Sequence, residues 1–346
     1  MNEETAMIAE ATARIFADLA DPQTVNAASC DAWKAPLWRA LDEAGLTRAW
    51  MSEDNDGAGL DLATGFEILR VSGHYACPVA LGETLLAGWT LEQAGLAVPD
   101  GVLTLAPMRR GGGVTIADGK ASGTARSVAH GGDAGHLVAV MDNAIALVPL
   151  AEATVTPRQT DMGGDRTDLA FDGVAATTAD VPGAAGMVQM MGATARACQI
   201  TGALETALSV TTDYTGEREA FGRKIGKFQA VQQNLAQLAG EVAAAITASG
   251  SAAETLSKEG LNSEAALLEV ASAKIRVGEA AETGGAIAHQ AHGAIGWTSD
   301  YVLQRFTRRM WGWRDDFGTE AEWAVRLGNH VAALGSDGLW PMLTAR

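Results

Sequence analysis

Cysteine is nearly absent from this chain. The three residues present, Cys30, Cys77 and Cys198, lie far apart with no CxxC pair, so neither a zinc site nor a disulfide framework organises the fold, and a reducing cytoplasm is the expected compartment. A basic leader is missing too: the N-terminus MNEETAMIAEATARIF carries acidic residues where a signal peptide needs cations, and no apolar run reaches the length of a membrane span. Positive charge is the third shortage. The formal net charge is -17, a field that repels phosphate backbones and anionic membranes, so neither nucleic acid nor a membrane is an expected partner. An anionic ligand must therefore be held by a local cluster of Arg and Lys.

Core-forming material is plentiful. The chain has 346 residues, 47% of them hydrophobic and 19% charged, which buries a large core and exceeds one compact layer pair, so two or three domains are expected. From Glu3 to about Leu96 apolar residues such as Met7, Ile8, Ala11, Ile15, Phe16 and Leu19 recur at helical spacing, broken by SEDNDGAGLD at Ser52 to Asp61. This predicts an all-helical first domain over residues 1–98. The runs GVTIADGKASG and HLVAVMDNAIALVPL then alternate apolar and polar residues around Asp118-Gly119 and Asp142-Asn143, the pattern of β-hairpins. With TDLAFDGVAATTADVPG, Thr167 to Gly183, they predict a small antiparallel β-domain over residues 99–184.

Residues 185–346 read as a helical bundle of an α+β multidomain chain. A helix from about Met187 to Glu217 precedes one whose stripe is Phe228, Val231, Leu235, Leu238, Val242 and Ile246, and an Ala-rich helix spans about Asn262 to His292. A flexible turn is expected within AAAITASGSAAETLSKEG, Ala243 to Gly260. No internal repeat stands out.

Two stretches carry chemistry. In YTGEREAFGRKIGKFQAVQQ, from Tyr214, the residues Arg218, Phe221, Gly222 and Arg223 fall at a corner between helices, where a fixed guanidinium fork and an aromatic ring suit a flat, anionic cofactor. The second, HQAHGAIGWTSDYVLQRFTRRMWGWRDDFGTEAEW from His289, places the amide of Gln290 three residues before Gly293, where glycine permits close backbone approach. His289 and His292 have no acidic third ligand in register, so a metal is not expected. Trp311, Trp313 and Trp323 suit helix packing or an interface, and Arg305, Arg308 and Arg309 suit interdomain pairing or the phosphate of a ligand.

Together these blocks resemble the acyl-CoA dehydrogenase family of flavoproteins. REAFGRKIGKFQAVQ, residues 218–232, is similar to the family's Arg-x-x-Phe-Gly-x-x-Ile-x-x-x-Gln block, and Gln290 with Gly293 to its Gln-x-x-Gly element. The resemblance spans almost the whole chain and implies an N-terminal helical domain, a central β-domain and a C-terminal four-helix bundle, with FAD as cofactor. It implies that Arg218, Phe221 and Gln229 contact the adenine and pyrophosphate half of FAD, characteristically that of a neighbouring subunit, and that Gln290 and Gly293 cover it from another helix. Thr319 and, near GTARSV, Ser127 are further cofactor candidates. The implied reaction is α,β-dehydrogenation of an acyl-CoA, with electrons passed to an electron-transfer flavoprotein.

The departures from the family are informative. Where typical members carry the catalytic glutamate of a Tyr-Glu-Gly-Thr element, this chain reads DDFGT, Asp315 to Thr319, with Phe317 at the glutamate's position. The alternative position on the preceding helix falls near Ala195 in GATARACQ. TLAPMRRGGG, Thr104 to Gly113, stands in place of a longer glycine-rich loop. Removing a weakly acidic α-proton needs a carboxylate, so three arrangements remain open. In the first, this chain is one subunit of a heteromer whose partner carries the glutamate, as in short family members associated with fatty-acid or steroid side-chain degradation. In the second, Asp316 is the base of a homomer. In the third, the fold serves flavin-dependent oxygen chemistry or a scaffold.

Overall fold

A computed structural model describes residues 2–108, 113–158 and 166–344. Its first part is helical: α1 (Glu3–Ala20), α2 (Pro22–Ala27), α3 (Lys34–Glu43), α4 (Leu62–His74) and α5 (Leu81–Gln93). Local chemistry sets their starts. The Asn2 side chain accepts from the Thr5 N–H at 2.7 Å, Asp61 does the same for Thr64 at 2.7 Å, and Pro22 opens α2 where its missing N–H is harmless.

The strands are β1 (Leu103–Leu105), β2 (Gly113–Ala117), β3 (Lys120–Ala129), β4 (His136–Met141), β5 (Ala144–Pro149), β6 (Thr154–Arg158), β7 (Arg166–Ala175) and β8 (Thr177–Asp180). They form two four-stranded sheets, ordered β1-β4-β5-β8 and β2-β3-β7-β6. Both expected hairpins form. Asp118 and Gly119 take φ of 50° and 68°, the left-handed pair a two-residue turn requires, and Met141 pairs with Ala144 across the second turn. One sheet is mixed rather than wholly antiparallel, because β1 runs parallel to β4, with the β2–β3 hairpin serving as the crossover such a pair needs. Val128, Leu169 and Phe171 from one sheet meet Leu137 and Val148 from the other in a shared apolar layer.

Helices resume with α6 (Ala184–Glu217), are interrupted by the short strands β9 (Glu219–Ala220) and β10 (Arg223–Lys224), and continue with α7 (Gln229–Glu259), α8 (Glu264–His292), α9 (Leu303–Arg314), α10 (Glu320–Leu334) and α11 (Leu339–Thr344). The stripe expected on α7 holds at Leu238 and Val242 but not at Ile246, which is 40% exposed; Ala245, Ser249, Ala252 and Leu256 continue the buried face. The expected turn within residues 243–260 is absent as well. Helix α7 runs unbroken through Gly250 to Glu259 and stops at Gly260, whose φ of 78° suits only glycine well. Two interior glycines, Gly240 and Gly250, cost about 1 kcal/mol each relative to alanine, which the packing of this long helix outweighs.

One apolar core extends from Phe16 and Leu37 through Leu85 and Val188 to Leu238, Val277 and Phe306, so the early and late helices share it. They meet where α4 crosses α6. A methyl group at Gly73 would strike the Gln199 carbonyl and one at Gly202 the Arg70 carbonyl, so glycine lets the two backbones approach. No helix among the described residues is long and apolar enough to cross a membrane.

Candidate active site and cofactor bend

A cavity of about 1050 Å³ opens where α5, the end of β1, the start of α6 and the corner between α9 and α10 converge. Leu86, Leu105, Pro107, Met108 and Val325 supply apolar wall. The wall comes from α5 rather than from α4, whose buried face packs on α6 instead. Of TLAPMRRGGG, residues 109–112 lie outside the described residues.

Four charged side chains from separate parts of the chain meet on this wall. Arg196 of α6 donates to Glu83 of α5 at 2.5 Å and to Asp316 at 3.1 Å, and Arg166 of β7 donates to the same Asp316 carboxylate at 3.0 and 3.3 Å. Arg196 is only 2% exposed and Glu83 6%, so these charges persist because each is paired. Burial by itself would raise the Glu83 carboxyl; the Arg196 guanidinium and nearby His130 outweigh it and hold the group down at about 2. The same contest at Asp316, burial against Arg166 and Arg196, leaves its carboxyl below the usual carboxylate range. Asp316 is thus an ionised counter-ion with both oxygens engaged, a weak proton acceptor.

Phe317 occupies the next position in a left-handed conformation, φ 57°, followed by Gly318 at φ 103°. A phenylalanine there is strained, and two contacts hold it: its ring covers Gly192 of α6, where even a methyl group would collide, and its carbonyl accepts from Trp323 Nε1 at 3.0 Å. The turn delivers Thr319 to cap α10 in a reciprocal box with Glu322, so Thr319 lines the cavity with its hydroxyl already bonded. Ala195, the other position where a carboxylate was sought, is fully buried and apolar. Ser127 sits in a bulge of β3 with φ 59°; its N–H donates to Asp168 at 2.8 Å and its carbonyl accepts from Arg166 at 3.3 Å. Arg166 therefore links Ser127 to Asp316 across the domain junction.

The other candidates gather elsewhere. Arg218 ends α6, and β9–β10 is a two-residue hairpin turning through Phe221 and Gly222 at φ 52° and 78°. Phe221 is 95% exposed. Arg223 lies 4.0 Å from the centre of the Phe228 ring, and α7 then begins with no side-chain cap, leaving its first N–H groups open beside Gln229. Gln290 and Gly293 are exposed at the end of α8, which rests on the end of α6 through the stacking of Tyr214 on His292 at 4.3 Å. At about 1.5 Å of rise per residue, Arg218 lies about 33 Å along α6 from Arg196. The cationic bend and the cavity are thus at different ends of the same helix.

Residues 184–320 match the acyl-CoA dehydrogenase C-terminal domain. The acyl-CoA dehydrogenase IpdE2 of Mycolicibacterium smegmatis is 27% identical over 337 residues, which cover 96% of this chain and 100% of that protein. Residues 184–320 thus carry the acyl-CoA dehydrogenase C-terminal domain, and the chain as a whole is similar to acyl-CoA dehydrogenases. Its fold agrees with two solved structures. The ChsE4–ChsE5 complex from Mycobacterium tuberculosis matches with a TM-score of 0.85 at 22% identity, covering 96% of this chain and 98% of that one. A variant of the Tcur3481–Tcur3483 steroid acyl-CoA dehydrogenase matches at 0.84 and 28% identity, again covering 96% and 98%.

The family points to FAD as cofactor, and the bend has the charge to suit the diphosphate of a dinucleotide. Arg218, Arg223, Lys224 and Lys227 form no ion pair among the described residues, and they surround an uncapped helix N-terminus, whose dipole favours anions. Other sequence candidates are packing residues. Trp313 and Trp323 are buried at 5% and 1% exposure, while Trp311 stacks with Trp297 and His289 around a separate pocket. His289 bonds the Thr307 hydroxyl at 2.8 Å, and Gln304 ties Arg308 of α9 to Asn26 of α2. Sequence reasoning missed Glu83, Arg166 and Arg196. For two of them a signal was present: Arg196 and Glu83 are lone charges within otherwise apolar helical runs, which globular proteins keep only when paired.

Proposed function

We propose that this chain is one subunit of a heteromeric, FAD-dependent acyl-CoA dehydrogenase whose partner subunit supplies the glutamate base. The observation that carries this reading is the corner at Asp316–Phe317. An aromatic ring holds the position expected of the base, and the adjacent carboxylate is committed to Arg166 and Arg196. Such an aspartate accepts a weakly acidic α-proton poorly, because its pairing would have to be broken first. The distance of about 33 Å between bend and cavity supports a cofactor site completed across a subunit interface, the bend of one chain serving the cofactor of its neighbour.

When bound, FAD supplies the hydride acceptor for α,β-dehydrogenation of the acyl thioester. This chain's residues hold and orient it. Arg218 offers a bidentate fork to the diphosphate, Gln229 and Gln290 offer amides that both donate and accept, and Gly293, at φ 68°, allows close backbone approach. Phe221, whose ring is exposed apart from an edge contact with Phe228, offers an aromatic surface to the partner. Thr319 borders the cavity at the start of α10, Ser127 is joined to its wall through Arg166, and the Arg166–Asp316–Arg196–Glu83 cluster fixes the β-domain against the bundle beside them. The substrate is an acyl-CoA with a bulky chain, a reading supported by the steroid acyl-CoA dehydrogenase among the structural relatives. Electrons pass to an electron-transfer flavoprotein in the cytoplasm.

Arg218→Ala tests the cofactor assignment. The exposed side chain has no ion pair among the described residues, so the thermal midpoint should stay unchanged while flavin is lost from the purified oligomer. Full flavin content in that variant would sink the assignment.

A further inference from the structure

Three arginines among the described residues line the large cavity, and they differ in one respect. Arg166 and Arg196 are neutralised by Asp316 and Glu83. Arg326, two turns along α10 from Thr319, has no ion pair among the described residues. Its guanidinium lies 4.9 Å from the centre of the Trp323 ring and donates one bond, at 3.3 Å, to Gln189 Oε1 of α6. Glu322, one turn earlier, directs its carboxylate to the Thr319 N–H at 2.8 Å. Burial lowers the Arg326 guanidinium with no acid to offset it. A half-buried cation, steered by an aromatic face and an amide toward a cavity, is arranged to receive an anion.

We infer that Arg326, Gln189 and Asn329 form a receptor for an oxyanion in the cavity wall. The ligand is an amphiphile whose apolar part lies along Leu86, Leu105, Met108 and Phe317 and whose carboxylate or phosphate meets Arg326. Gln189 couples the receptor to the strained corner, since its amide nitrogen lies against Gly318 beside Phe317. Helix rise puts the anion about 10 Å along α10 from the Thr319 end. A carboxylate would come from a second acidic group on the acyl chain, and a phosphate from the nucleotide part of CoA or FAD. Assigning the ligand to an acyl-CoA rests on the function proposed above; the unpaired charge does not.

The test is calorimetric binding of coenzyme A, butyryl-CoA and succinyl-CoA to the assembled wild-type protein and to Arg326→Gln and Arg326→Lys, with bound flavin and thermal midpoint recorded for each. If the receptor takes a carboxylate, succinyl-CoA binds the wild type about tenfold or more tighter than butyryl-CoA, and Arg326→Gln erases the preference. If it takes a phosphate, Arg326→Gln weakens all three ligands alike or lowers flavin content. Arg326→Lys, which keeps the charge but loses the fork, falls between wild type and Arg326→Gln. A wild type that binds neither flavin nor acyl-CoA would overturn the proposed function alone, and free succinate and pyrophosphate would then probe the receptor directly. Affinities and flavin content in Arg326→Gln within about twofold of wild type for every ligand, with the midpoint intact, would overturn the receptor.

Discussion

Arg196 is the side chain on which the cavity wall depends most. It satisfies two carboxylates at once, so Arg196→Ala would strand Glu83 as a buried, unpaired anion and leave Asp316 to Arg166 alone. Removing one partner of a buried pair costs about 3–5 kcal/mol, and the thermal midpoint should fall accordingly; the double change to Arg196→Met and Glu83→Gln should be far milder, because Glu83 is then uncharged and Asp316 keeps Arg166. A small loss in Arg196→Ala would mean that the cluster is not the structural tie described here. At this scale the sequence was only partly readable. Arg218, Phe221 and Gln290 stand in a long local pattern that can be recognised by spacing. Glu83 and Arg196 are 113 positions apart and Arg196 and Asp316 are 120, so their pairing exists only once the fold brings three segments together. The absence of a carboxylate at Phe317 and Ala195 was legible; the engagement of Asp316 by two arginines was not.

Among the elements, α6 separates bend from cavity by its length, and the α4–α6 crossing and the α8–α9 contact are two packing points that can be tested. Gly202→Ala would push a methyl group into the Arg70 carbonyl of the facing helix, and overpacking of this kind typically costs about 1–3 kcal/mol, measurable as a lower midpoint. The α8–α9 contact makes the protein sensitive to mild acid. Burial, reinforced by His292, pushes His289 down from 6.5 to about 4, so the folded state holds it neutral while the unfolded chain takes a proton below 6.5. Its contribution to stability is complete above pH 6.5 and is lost as pH falls toward 4. Chemical denaturation across that window should show a shallower decline in His289→Gln than in the wild type; identical slopes would remove His289 from the account. Element types were readable where contrast between apolar and polar residues is strong, as in the β2–β3 and β4–β5 hairpins. In α7 the Ala- and Ser-rich run around Gly250 has little such contrast, so an expected turn is a continuous helix and Ile246 faces outward. Small side chains leave the buried face to be chosen by neighbours, as when Ser249 bonds Thr201 at 3.1 Å.

For the whole molecule, a net charge of -17 makes the cationic bend a local exception in sign, and the bend is about 33 Å of helix away from the chain's own cavity. That separation is what the proposed pairing with another subunit draws on. Helical, β and helical regions in that order were legible in the sequence, because each region keeps one periodicity throughout. The common core of the early and late helices was not, since it depends on glycines at a crossing that carries no periodic signal. The most direct measurement is anaerobic reduction of bound flavin by acyl-CoA, followed by visible absorbance. It would be made on this chain purified alone and on the chain co-expressed with a family member that carries the glutamate. The account predicts no substrate-dependent bleaching from the chain alone and full bleaching from the complex. Bleaching of the chain alone at a comparable rate, abolished in Asp316→Asn, would contradict it and return the proton to Asp316.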